Sequence, residues 1–102
     1  MIIYAVTVSV EDESAEDWLT WMQEEHLGEV LDTGLFTQYR LLELLDPEPE
    51  AGSRTFNIQY TCRSMEDYNQ YQEDHAPLLQ QKHQDRYGAR AIAFRTLLKR
   101  HA

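Results

Sequence analysis

The stretch Ser14–Gly34, SAEDWLTWMQEEHLGEVLDTG, constrains this chain more than any other. It reads as one amphipathic helix with a start signal, a stop signal and a histidine inside its apolar stripe. Ser14 is a good N-cap, and Asp17 stands three residues on, where a carboxylate caps free amides in return. Glu16 and Asp17 place negative charge at the positive end of the helix dipole. Gly34 predicts a left-handed C-cap. At about 100° per residue, Ala15, Trp18, Leu19, Met22, His26 and Val30 fall within an arc of roughly 120°. Trp21 flanks that arc, while Gln23, Glu24 and Asp32 lie off it. His26 therefore points toward the expected core. The position suits a core histidine with one satisfied ring nitrogen, and also an acid/base or polar anchor in a closed cavity. No second ligand stands at i+3 or i+4 on this face, which argues against a metal.

Around this helix the chain alternates regularly. Ile2–Val10 predicts a first strand with Tyr4, Val6, Val8 and Val10 on one face and Ala5, Thr7 and Ser9 on the other. Leu35–Leu45 predicts a second strand with apolar residues on both faces. The acidic segment DPEPEAGS is rich in breakers, and Arg54–Cys62 alternates as a third strand, so the two strands read as a hairpin. Ser64, with Asp67 three residues on, predicts the N-cap of a second helix carrying Tyr68, Tyr71, Gln72, His75, Leu78 and Leu79 on one side. Pro77 predicts a kink or restart near Ala76, and Gly88 a stop. Ala91–Leu98 predicts a last strand with Ile92, Phe94 and Leu98 on the core face.

The resulting order βαββαβ predicts an α+β, ferredoxin-like sandwich: a four-stranded antiparallel sheet with both helices on one face, a single domain over residues 1–102. The other sheet face stays bare. On this reading it carries Tyr39, Leu41, Gln59, Thr61 and Ala93, a mixed patch that invites a second copy and predicts a face-to-face homodimer.

Charge narrows the partners. Eighteen acidic residues against nine Lys and Arg give a formal net charge of -9, which repels phosphate backbones and anionic membranes. Nucleic acid and membrane are therefore not expected partners. No stretch approaches the ~20 apolar residues of a membrane span. Cys62 is the only cysteine, so no internal disulfide can form, and a reducing, cytoplasmic setting is expected.

The candidate chemistry gathers at one place. His26, Trp18 and Met22 from the first helix and Tyr68, Tyr71 and His75 from the second can meet over one sheet face. Two histidines and two tyrosines there would supply proton donors and acceptors within an aromatic wall, a small-molecule site; the same stripe also serves as plain core. Cys62, at a strand end without an adjacent base, reads as a small buried hydrophobe. There is no phosphate loop, no Ser-His-Asp signature and no CxxC or HxxxH spacing, so neither metal nor cofactor is expected.

The pieces MIIYAVTV, WLTWMQEEHLGEVLDTGLF, FNIQYTCRSMEDYNQY and AFRTLL together resemble a small bacterial family of uncharacterised proteins, the domain of unknown function 4286. The resemblance spans nearly the whole chain, and the W-x-x-W-M-x-x-x-H helix ending in T-G-x-F is its most specific part. That family usually has a proline where Gly28 stands here. It is similar in strand order to the dimeric α+β barrels, which include cofactor-free monooxygenases, dehydratases and many proteins of no known activity. The asparagine, tryptophan and histidine arrangement of the quinone-forming monooxygenases is not found in matching places. The first expectation is thus a homodimeric binding or interaction module for a small hydrophobic molecule. The alternatives are a cofactor-independent enzyme, monooxygenase- or isomerase-like, with His26 as acid/base, and a metabolite-binding regulatory domain.

Overall fold

The computed structural model describes residues Met1–Ala102. Strands β1 (Ile2–Glu11), β2 (Gln38–Glu43), β3 (Ser53–Cys62) and β4 (Ala91–Lys99) form one antiparallel sheet in the order β2-β3-β1-β4. The helical segments are α1 (Asp12–Trp21), a π-helical turn (Met22–His26), α2 (Leu27–Asp32), α3 (Met65–Asp74) and α4 (Ala76–Tyr87), with a 3-10 turn at Gly88–Arg90 before β4. The βαββαβ order is that of the ferredoxin-like α+β sandwich. No helix is long and apolar enough to cross a membrane.

Residues opposite one another in an antiparallel ladder share a face. Tyr4 pairs with Tyr60 and Leu97, Val6 with Ile58 and Arg95, and Val8 with Phe56 and Ala93. Tyr4, Val8, Phe56, Ile58 and Tyr60 are buried together with Trp18, Met22, Leu27, Val30, Tyr71 and Leu79, so this face lies under the helices. The other face carries Ile3, Ala5, Thr7, Gln59 and Thr61, with Ile92, Phe94 and Leu98 from β4.

This register corrects the faces of two strands. Ile92, Phe94 and Leu98 belong to the open face, 66%, 61% and 48% exposed, and not to the core. Ala93 sits on the helix side, opposite Val8. Tyr39 and Leu41 pair with Tyr60 and Ile58 and also lie on the helix side, whereas Gln38, Arg40 and Leu42 face outward. Of the residues expected on the open face, Gln59 and Thr61 are there. Strand β2 is shorter than Leu35–Leu45, because Leu35 and Phe36 turn into the core ahead of it.

The first helix departs from an uninterrupted α-helix in two ways. It begins at Asp12, with Glu11 as a cap that makes no side-chain hydrogen bond. Ser14 is therefore not the N-cap: it is buried within the first turn, where its Oγ accepts from Arg90. Asp17 likewise does not cap; it accepts from the Tyr87 hydroxyl at 2.8 Å and pairs with Arg86. The second departure is the π-turn, in which the Leu27 amide donates to the Met22 carbonyl five residues back. In a continuous helix Leu27 would lie about 180° from Trp18. The extra residue brings both Leu27 and Val30 into the core with Trp18. At the far end Gly34 adopts φ 79, the left-handed conformation that terminates the helix without a Cβ penalty.

The second helical unit follows the sequence signals. Ser64 Oγ accepts from the Asp67 amide at 3.1 Å. The helix breaks at His75 (φ -127), and Pro77 stands in the first turn of α4. Helix α4 buries only Ala76, Leu79 and Tyr87. It is tied to the first helical unit by Trp18–His83, Lys82–Glu29 and Tyr87–Asp17.

Candidate functional site

Between the helices and the sheet lies a cavity of about 40 Å³, room for about one to three water molecules. Its floor is Tyr4, Val6, Val8, Ile58, Tyr60 and Ala93; one wall is Trp18, Met22 and His26; the roof is Tyr71, Leu79, Gln80 and His83, with Arg95 at the β4 side. Ala93 helps make the space, since a larger side chain opposite Val8 would fill it. An outer groove of about 510 Å³ between α4 and β4 shares Gln80, His83, Ala93 and Arg95 with the cavity.

His26 reaches this cavity from the end of the π-turn. Its ring stacks on Trp21, with centroids 4.8 Å apart and planes 26° apart. Nδ1 is buried and has no hydrogen-bond partner within the chain. Burial, then the neighbouring His83, pushes its pKa down to about 4, against a smaller upward pull from Glu29. The ring is therefore neutral near pH 7. An unsatisfied buried polar atom is costly, and this one belongs to a side chain that lines the cavity.

His83 is the residue that sequence reasoning missed. Trp18 donates its indole N–H to His83 Nε2 at 3.0 Å. An indole nitrogen only donates, so Nε2 carries no proton and the neutral ring holds its proton on Nδ1. Burial and Arg95 lower the His83 pKa. The signal available in the sequence was the spacing Ala76, Leu79, His83, Tyr87, a narrow stripe in an otherwise polar helix.

Of the six residues expected at the site, Trp18, Met22, His26 and Tyr71 line the cavity. Tyr68 and His75 do not. Tyr68 is half-buried against Tyr4, with ring centroids 5.5 Å apart. His75 sits at the helix break and stacks on Tyr71 at 6.3 Å. The aromatic wall is completed by Tyr60, whose hydroxyl, like that of Tyr71, burial holds firmly protonated. Cys62 is fully buried, and its thiol donates to the Ser64 carbonyl. Burial raises its pKa first, so it is a poor thiolate. No group of three or more His, Cys, Asp or Glu side chains could hold a metal ion.

With this geometry in place, the comparisons add the fold and a family. Residues 1–101 match the family described as Domain of unknown function (DUF4286). No curated protein matches the chain. Among solved structures, it resembles a dimeric ferredoxin-like protein from an uncultured marine organism, with TM-score 0.71 and 11% identity, covering 100% of this chain and 96% of that one. It resembles an ethyl tert-butyl ether d (ethd) family protein from Bacillus halodurans with TM-score 0.70 and 10% identity, covering 99% and 100%. A candidate antibiotic biosynthesis monooxygenase from Bacillus cereus gives 0.62 and 12%, covering 99% and 95%. Identities this low carry the fold alone.

Proposed function

The chain belongs to the DUF4286 family, and from that premise we propose that it is a homodimeric binding module for a small, largely apolar molecule taken up beside His26. One observation carries the reading: a mostly apolar cavity lined by His26, whose buried Nδ1 has no partner within the chain. Such a site combines apolar area for affinity with one polar group for orientation. The empty space is small, so a ligand enters by displacing the roof side chains of α4. Residues 1–102 act as one unit in this reading, and the lone buried Cys62 suits a reducing, cytoplasmic setting. Dimerisation is supported by the exposed Ile92, Phe94 and Leu98 and by a solved neighbour described as dimeric.

A thermal-shift series with toluene, phenol and indole tests the binding. Phenol and indole should raise the melting temperature of wild type by several degrees. His26→Leu, which offers no polar atom, should keep the response to toluene and lose most of the response to phenol. A wild type that melts unchanged with every probe overturns the reading.

A second reading, cofactor-independent turnover, is favoured by the neutral His26 ring, which can accept a proton at pH 7. Any such activity uses His26 as a base and not as a charged acid. Its mark is a rate that falls with protonation of His26, far below pH 6, and disappears in His26→Leu.

A further inference from the structure

Three of the nine Lys and Arg side chains of this acidic chain are held in ion pairs. Arg54 pairs with Glu16 and Glu43, Lys82 with Glu29 and Arg86 with Asp17. Of the six that are not, Arg95 alone lines the cavity. It stands on the helix side of β4, opposite Val6, at the point where the cavity and the outer groove meet. No carboxylate forms an ion pair with it. Its charge is felt by His26 and His83 and by the buried hydroxyls of Tyr60 and Tyr71. The inside of a molecule with net charge -9 thus has a positive mouth.

We propose that the ligand is an amphiphilic anion, with a small apolar body held in the cavity and one carboxylate held by Arg95 at its mouth. This inference rests on the binding reading above. A guanidinium is suited to a carboxylate because its planar fork donates two parallel hydrogen bonds. The body lies between Trp18, Tyr60 and Ala93, and a polar atom on it meets Nδ1 of His26. A cationic or dianionic ligand fits less well: the first meets Arg95, and the second leaves a charge without a partner.

The test compares carboxylates with their uncharged amides: acetate, butyrate and phenylacetate against acetamide, butyramide and phenylacetamide. The readout is the pair of tryptophan indole N–H signals in a nitrogen-15 NMR titration, one of which is the Trp18 donor to His83. The best-fitting acid should bind wild type about tenfold more tightly than its amide at low salt, the order of gain expected of a hydrogen bond to a charged group. Arg95→Gln should abolish the difference in affinity between the acid and its amide; Arg95→Lys should restore part of it. Equal binding of acid and amide, or an acid unaffected by Arg95→Gln, overturns the inference and leaves the binding reading standing. If no acid and no amide moves the Trp18 signal, the binding reading falls too.

Discussion

The His26 imidazole carries a sign as well as a position. Its folded pKa is depressed to about 4 from an ordinary 6.5, so above pH 6.5 neither folded nor unfolded chain is charged there and stability is unaffected. Below that, the unfolded chain takes up the proton first, and stability falls continuously until about pH 4. By pH 5 the loss is about 2 kcal/mol by this linkage. His83, also lowered by burial, adds in the same direction. Urea denaturation at pH 7 and pH 5 should show the loss in wild type and a clearly smaller one in His26→Leu. A second single-residue outcome concerns Gly28, exposed within α2 with nothing within 4 Å of an added Cβ. Gly28→Ala should stabilise the chain by about 0.5–1 kcal/mol, since it removes unfolded-state freedom at no steric cost.

At the level of the elements, the π-turn makes an unusual prediction. A continuous helix one residue shorter would carry Leu27 and Val30 on the same side as Trp18. Deleting the exposed Gln23 should therefore leave a folded protein within about 1 kcal/mol of wild type, because the turn closes to an α-helix without rotating α2. Inserting an alanine between Glu24 and Glu25 should turn Leu27 and Val30 roughly 100° out of the core and cost several times more. Melting curves of the two variants decide it. The strand order, the Ser64 cap, the break before Pro77 and the Gly34 stop were all legible, because each rests on local chemistry. The π-turn was not, since 100° periodicity accounts for Trp18, Met22 and His26 without it. The faces of β4 were misread for a related reason. Patterning puts large apolar residues inward, and here the inward residues are Ala91, Ala93, Arg95 and Leu97, of which only Leu97 is large and apolar. That inversion leaves room for the cavity and sends Ile92 and Phe94 to the open face. Four of the six expected site residues were found in the cavity lining because they belong to strong stripes. His83 escaped because α4 is polar, with three buried side chains.

For the whole molecule, the open sheet face is the feature with the largest consequence. Replacing both Ile92 and Phe94 by Glu puts two charges where the proposed second copy sits. Gel filtration should show wild type at twice 12.0 kDa and the double variant at the mass of one chain. The variant should keep its circular dichroism spectrum, since both side chains are mostly exposed in the single chain. A wild type that elutes as one chain refutes the dimer. The helical layer above the sheet has its own organisation. Helix α4 is fastened to its neighbours by an ion pair, a phenol–carboxylate bond and an indole–imidazole bond. Added salt screens the first, and acid removes the acceptor from the third. The covering over the cavity is thus held by fasteners whose grip is set by the surrounding solution. Ionic strength and acidity act on it as two separate dials, before any ligand arrives.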